Sequence, residues 1–401
     1  MLFYLIITRI ISYYTWHLFL PLNFNTGINT RKKLPMILYQ STTKYNCGID
    51  LHAKNMYVCV MNRQGRKLVH QNVKGNNFDY FLEITAPYIH DMTVACESTF
   101  NWYWLSDACA LNGIKFVLGH ALYMKAIHGT KTKNDRVDSE KIAHLLRSNM
   151  LPQAYCCSPD KRPIRDLLRR RAYLVKHRSD ILSHMSESVQ VHGQERLSRQ
   201  EKRKSARSKA IPTRFTNPIL HFSMEIDSYL ANQYDILIKE LEKEIINHTR
   251  LLASKEYSIL KTAPGIGKIL GLVILYEIDD IKRFNSSNEF CSYAMLIPSN
   301  ATSDGKNVGS QGRKMGNHYL KWAFSEMVVI AKRNPYIKKY SSKLEKKHGK
   351  TKANAILRHR FGHVVYNMLK HDKVFNIERF LKGKIDMKKV KERGDALRLG
   401  A

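Results

Sequence analysis

Carboxylates are scarce in this chain: 34 Asp and Glu stand against 66 Lys and Arg over 401 residues, a formal net charge of +32 at pH 7. So few acids cannot offset the cations. That excludes a charge-balanced surface and leaves a broad positive field that attracts phosphate polyanions and releases their counterions. Paired cysteine motifs are missing too. The seven cysteines, at 47, 59, 96, 109, 156, 157 and 291, include no CxxC, and most sit in apolar runs such as YVCVM and TVACE. Buried thiols in a reducing, cytoplasmic protein follow. Adjacent Cys156 and Cys157 have no His or Cys at zinc-ligand spacing, and His359 and His363 read HRFGH with no glutamate between them. Neither pair is read as a metal site, and the histidines are expected on a basic or packing face. No GxxxxGK[ST] phosphate loop occurs.

A stretch that looks like a membrane segment occurs at residues 2–22, where Arg9 sits mid-run, His17 lies near the far end and no small-residue cleavage site follows. A charge at the centre of a spanning helix is costly, so the expectation is an extension over 1–40 outside the fold, with Met36 as initiator and no stable membrane association. What the chain does hold is 44% hydrophobic and 10% aromatic residues, enough to bury two or three cores.

Periodicity organises the rest. YNCGIDLH (45–52), MYVCVMN (56–62) and KLVHQNV (67–73) alternate as strands of an antiparallel meander, with RQGR as a turn. A helix over about 76–88, strand MTVACE (92–97), a helix over about 100–112, strand IKFVLG (114–119) and a helix from Asp135 complete the order βββαβαβα. This is the order of a ribonuclease-H-like α/β domain. Residues 161–214 then hold 16 Lys and Arg against 5 Asp and Glu. Within them Leu167, Leu174 and Ile181, and Leu168, Val175, Leu182 and Val189, recur every seven residues as in a coiled coil. Leu230 and Leu237, then Ile238, Ile245 and Leu252, predict an antiparallel return, with 193–222 as its tip or as a flexible insert. After 257 the chain reads as all-α, punctuated by glycine, with a charged and frayed end.

Four of the rare carboxylates fall where this order gathers them. Asp50 and Glu97 end two strands, and Asp135 and Asp138 share the first turn of a helix, whose N-terminus favours negative charge. Such a set binds two Mg²⁺ ions about 3.5–4 Å apart that activate an attacking oxygen and stabilise the leaving oxygen of a phosphodiester; all-oxygen ligands point to magnesium rather than zinc. Cations for a nucleic-acid backbone stand nearby at Lys131 and Lys133 and along Arg169, Arg170 and Arg171. The turn Pro264-Gly265-Ile266-Gly267 between apolar helices reads either as a helix-hairpin-helix whose N–H groups bind a DNA phosphate or as a tight helix–helix turn. The segment SNATSDGKNVGSQGRKMGN (299–317) combines four glycines with Lys306, Arg313 and Lys314, and it reads either as a serine-bearing phosphate loop or as plain turn formers.

Together CGIDLHAK (47–54), ACEST (95–99), GIKFVLGHALYMKAIHGTKTKNDRVDSEKIA (113–143), LPQAY (151–155), TAPGIG (262–267), GKNVGSQGRKMGNHYLKWAFSE (305–326) and LEKKHGKTKA (344–353) resemble the DEDD transposases of insertion-sequence family 110. The C-terminal half most resembles the 1111 subgroup. The resemblance implies a RuvC-like catalytic domain over 41–155 whose four acids are Asp50, Glu97, Asp135 and Asp138. It further implies a coiled-coil region over 156–256, a transposase domain over 257–385 and a charged tail over 386–401. It also implies a nucleophilic serine mapping best onto Ser303, with Ser299 and Ser310 as alternatives, and a composite site completed by a partner subunit of a homo-oligomer. An element-encoded guide RNA would select the DNA, so that base pairing reads sequence while protein reads backbone. Ser139 stands where the family usually has alanine. Competing readings are a RuvC-like nuclease or junction resolvase with no covalent step, and a decayed transposase that only binds nucleic acid.

Overall fold

A computed structural model describes residues 37–127, 134–249, 251, 254–297, 301–303, 306–309 and 316–384, with 301–303 and 306–309 described as backbone. The expectations for residues 1–36, including Met36 and the apolar run, and for 385–401 lie outside the described residues. Among the described residues no helix is long and apolar enough to cross a membrane.

Strand β1 (Tyr45–Leu51) pairs antiparallel with β2 (Asn55–Asn62), which pairs with β3 (Lys67–Lys74), so the predicted meander forms. Strands β4 (Met92–Glu97) and β5 (Lys115–Gly119) add in parallel, giving the mixed five-stranded order β3-β2-β1-β4-β5. Parallel partners require crossovers, supplied by helices α1 (Phe78–Thr85) and α2 (Trp102–Leu111). Central β1 is buried along almost its whole length, as a strand covered on both faces must be. Cys47, Ile49 and Leu51 face one way, into a core with Phe81, Leu105 and Cys109. The opposite face takes α3 (Ala121–Ile127), which the periodicity did not announce, and α4 (Asp135–Arg147). Ile142, Leu145 and Leu146 of α4, spaced i, i+3, i+4, pack on Ala95 and Val117.

One residue sets how closely α4 approaches the sheet. A Cβ on Gly48 would overlap the backbone of Ser139 and Ala143, so only glycine lets the helix lie directly on β1. Gly48→Ala is therefore expected to lower stability by about 1–3 kcal/mol through overpacking, read as a fall in the urea midpoint at unchanged slope. An unchanged midpoint would mean that α4 seats elsewhere.

Helices α5 (Arg162–Val191), α6 (Lys204–Ala210) and α7 (Pro218–His248) follow. Arg171 pairs with Glu242, Arg178 with Asp235 and His184 with Asp227, and partner numbers that fall as the α5 numbers rise make the hairpin antiparallel. Leu168, Met185 and Val189 face Met224, Ala231, Ile238 and Ile245 as its buried positions. Leu230 and Leu237, expected in that seam, are instead exposed on the outer side of α7, because Ile238 and Ile245 occupy the inward stripe. The tip is packed, with Leu197, Ile211 and Phe215 closing a small core over Met185 and Val189.

The helical C-terminal region comprises α8 (Lys255–Lys261), α9 (Lys268–Ile278), α10 (Ser287–Tyr293), α11 (His318–Ala331), α12 (Pro335–His348), α13 (Lys350–Lys370) and α14 (Ile377–Leu381). Its core is centred on α9, buried from Leu270 to Ile278, and on Phe290, Phe324 and Phe361.

Candidate active site

Of the four candidate acids, Asp50 and Asp135 are brought together at the C-terminal end of β1. Strand alternation puts Asp50 on the face of Gly48, toward α4, and puts Glu97 on the face of Ala95, which packs against α4. Ile49 is level with Cys96, and the same register carries Asp50 level with Glu97. Asn134 caps α4 through its side chain, starting the helix so that Asp135 and Asp138 fall in the first turn.

His52 joins them. Its Nε2 lies 3.2 Å from Asp50 Oδ2 and 3.3 Å from Asp135 Oδ1. The donor atoms of Asp50, His52 and Asp135 all lie within 4.8 Å of one another. Asn76 and Asn101 both donate to the His52 carbonyl, at 3.0 and 2.9 Å, which fixes the backbone that carries the imidazole. Asp138 is held by Lys141 at 2.7 Å. The Asp50 side chain is 11% exposed and that of Asp135 is 47%, so the cluster has a buried floor and an open rim. Burial pushes the Asp50 carboxyl above its usual range; His52 pulls it back, and the charges of Asp135 and Asp138 push it further up. Concentrated negative charge of this kind, with its donors already converging, fits a divalent cation. Sequence reasoning misses His52, although its signal is present. Two residues beyond Asp50, it continues the same face, and it adds a nitrogen donor to the all-oxygen set expected from the sequence.

The predicted phosphate contacts divide. Arg169 makes a two-pronged ion pair with buried Glu277, at 2.7 and 2.8 Å, and stacks on Tyr319, while Arg171 bonds Glu242 at 2.6 Å. Both guanidiniums are thus engaged within the protein. Arg170 is exposed beside Tyr173. Gly265, at φ +91°, packs so closely on α11 that a Cβ would overlap the Met327 carbonyl, whereas Gly267 precedes α9 and faces open space. Gly265 therefore serves a tight helix packing and Gly267 leaves an accessible helix start.

The segment read as a loop contains a short antiparallel ribbon, β6 (Ala301–Ser303) with β7 (Lys306–Gly309), in which Ser303 pairs with Lys306. The intervening Asp304-Gly305 is a strong hairpin sequence, overlooked because the strands on either side are so short. Lys131, Lys133, Ser299, Ser310, Arg313 and Lys314 lie outside the described residues. The far stem of this segment is anchored: Asn317 caps α11, reaches the Tyr293 carbonyl at 2.6 Å through its N–H, and donates to Glu277 at 2.7 Å.

Two family models match the chain. Residues 47–191 match a DEDD transposase model of the IS110 group, and residues 257–342 match the model described as Transposase IS116/IS110/IS902 family. A curated relative, the transposase for insertion sequence element IS1328 of Yersinia enterocolitica, is 24% identical over 285 residues, covering 68% of this chain and 80% of its own length. The first match contains all four candidate acids, and the second contains the β6–β7 ribbon.

Proposed function

We propose a division of labour that starts from this premise: the chain belongs to the IS110 family of DEDD transposases and is an enzyme of DNA strand transfer. Asp50, Glu97, Asp135 and Asp138 hold the divalent metal, taken to be magnesium and able to be two ions, with His52 as a further donor or as the group that orients Asp50 and Asp135. The observation that carries this reading is the convergence of Asp50, His52 and Asp135 within 4.8 Å at a strand end beside an N-terminal helix turn. When bound, the cation supplies Lewis acidity toward the phosphodiester and offsets charge on the leaving oxygen.

The remaining work falls to the protein. Ser303 supplies the nucleophilic hydroxyl: its oxygen bonds to a DNA phosphorus, a sugar oxygen leaves, and a phosphoserine link preserves the bond energy until a second strand's hydroxyl reverses the exchange. Lys306, Arg313 and Lys314, with Lys131, Lys133 and Arg170, neutralise the backbone phosphates. The open start of α9 at Gly267 offers a phosphate N–H groups. An element-encoded guide RNA chooses the DNA, consistent with so large a positive charge. Ser303 and the acids belong to separate regions of the chain, so the working form is a homo-oligomer whose subunits complete one another's sites. Exposed Ile219, Phe222, Ile226 and Tyr229 along α7 support such an assembly.

Ser303→Ala is expected to eliminate a denaturation-resistant protein–DNA adduct while binding of DNA persists. An adduct surviving in that variant transfers the role to Ser299 or Ser310. Metal-dependent cleavage by the unaltered protein without any adduct would instead identify a nuclease acting through activated water.

A further inference from the structure

The structure assigns a second metal site to Cys291, His359 and His363: we propose that these residues bind zinc between α10 and α13. The site shares no residue with the acidic cluster, and it reverses the expectation that the two histidines serve only a basic or packing face.

Helix α13 carries both histidines. Four apart, they share one face, and Cys291 of α10 lies opposite them. One ligand atom from each of the three side chains lies within 4.8 Å of the others. The two imidazole Nε2 atoms are 3.1 Å apart. Zinc–nitrogen bonds of about 2.0–2.1 Å at a tetrahedral angle place two such atoms about 3.3 Å apart, so the rings need almost no movement. Ser287 Oγ hydrogen-bonds His363 Nδ1 at 2.8 Å, so Nε2, which now meets His359 Nε2, is the ring nitrogen that would take the ion. Metal-bound histidines are oriented in this way, through the ring nitrogen that does not bind the ion.

The packing around the thiol is equally specific. A Cβ on Gly362 would stand 2.8 Å from Cys291 Sγ and 2.5 Å from Leu296 Cδ1, so the absence of a side chain at 362 lets sulfur approach the helix that bears both rings. Cys291 is fully buried while the rings are half-buried. An ion would be reached from the histidine side, with water as the fourth ligand. One sulfur and two imidazoles select zinc over magnesium. On binding, the thiol proton leaves to solvent as the zinc–sulfur bond forms.

Placement suggests the purpose. Cys291 lies in α10, whose chain runs through Met295 and Leu296 toward β6, and the Tyr293 carbonyl receives Asn317 at the returning stem. A zinc ion joining α10 to α13 would fix the helix that leads in sequence to β6 and that holds Asn317 at the returning stem.

Full-length protein, stripped with chelator and dialysed, is titrated with Co²⁺ and then with Zn²⁺. A sulfur-to-cobalt charge-transfer absorption saturating at one ion per chain and displaced by Zn²⁺ is the expected result. Asp50→Asn keeps the absorption, Cys291→Ser loses it, and His359→Ala and His363→Ala weaken zinc binding about 100-fold or more. With the acidic cluster disabled by Asp50→Asn, zinc should still raise the melting temperature, and adding His359→Ala or His363→Ala to that variant should remove the rise. If Cys291→Ser does not fold, the histidine variants carry the test through affinity and melting temperature. No sulfur absorption in the folded unaltered protein, or undiminished zinc binding by folded His359→Ala and His363→Ala, overturns the site and leaves a plain imidazole–imidazole hydrogen bond.

Discussion

Asp50→Asn is expected to abolish DNA strand transfer, by more than about 10³-fold, without harming the fold. The substitution preserves shape and removes one charge. In the metal-free protein that charge is a liability, because burial together with Asp135 and Asp138 raises the Asp50 carboxyl above its ordinary value. A carboxyl whose folded-state pKa lies above its unfolded value costs stability once the pH exceeds that range. A neutral amide at this position relieves the cost. Melting in chelator at neutral pH should accordingly be unchanged or raised while activity is lost, a combination that structural damage cannot imitate. Transfer at the normal rate by this variant would sink the metal-site reading. His52→Ala should fall between the two, weakening metal binding roughly 10-fold or more if the imidazole acts by orienting the carboxylates.

Glu277→Ala is expected to give the largest loss of stability, about 3 kcal/mol, because it strands two half-buried guanidiniums and the buried Asn317 amide. Glu277 is 2% exposed and accepts from Arg169, Arg165 and Asn317. Burial by itself would raise its carboxyl; the paired Arg169, the charge of Arg165 and the Asn317 amide outweigh this and hold it below the ordinary range. The sign follows directly. A depressed carboxyl contributes its full stability above the unfolded value and loses it as pH falls through the folded one. Glu277→Gln should therefore recover part of the stability at neutral pH and show a shallower decline in acid, both read from urea midpoints across pH. Strand transfer should fall as well, since Asn317 at the stem of the ribbon loses its anchor. A change in midpoint equivalent to less than about 0.5 kcal/mol would place Glu277 among ordinary surface residues. Asp279, at φ +62°, extends the same seam. It accepts from Tyr155 at 2.8 Å and from the Ser158 N–H at 3.0 Å, and it pairs with Lys161 at 2.7 Å, joining the end of the sheet region to α9.

The five strands were legible because alternation and β-branched content are local properties, and the acids Asp50 and Glu97 at strand ends came with them. The ribbon was not, since three- and four-residue strands carry too little periodicity to register against a glycine-rich background. The arginines of α5 show a different limit. A basic run advertises phosphate binding equally whether its charges point outward, as at Arg170, or turn inward to Glu277 and Glu242, as at Arg169 and Arg171. Leu230 and Leu237 failed in the same way, because two overlapping heptad registers on one helix are indistinguishable until a partner helix chooses one.

By itself the sequence determined the βββαβαβα order apart from the inserted α3, the antiparallel helical hairpin and the candidate acids, all of which depend on neighbours along the chain and on side-chain period. Only the tertiary structure decided that His52 bridges Asp50 and Asp135, that Gly48 must be bare for α4 to deliver Asp135, and that Glu277 gathers Arg165, Arg169 and Asn317. It also decided that Cys291 meets two histidines from a helix far along the chain. These are contacts between segments distant in sequence. Their partners are chosen by how closely backbones can approach and by where buried charge must be answered, and neither is written into any one stretch of the chain.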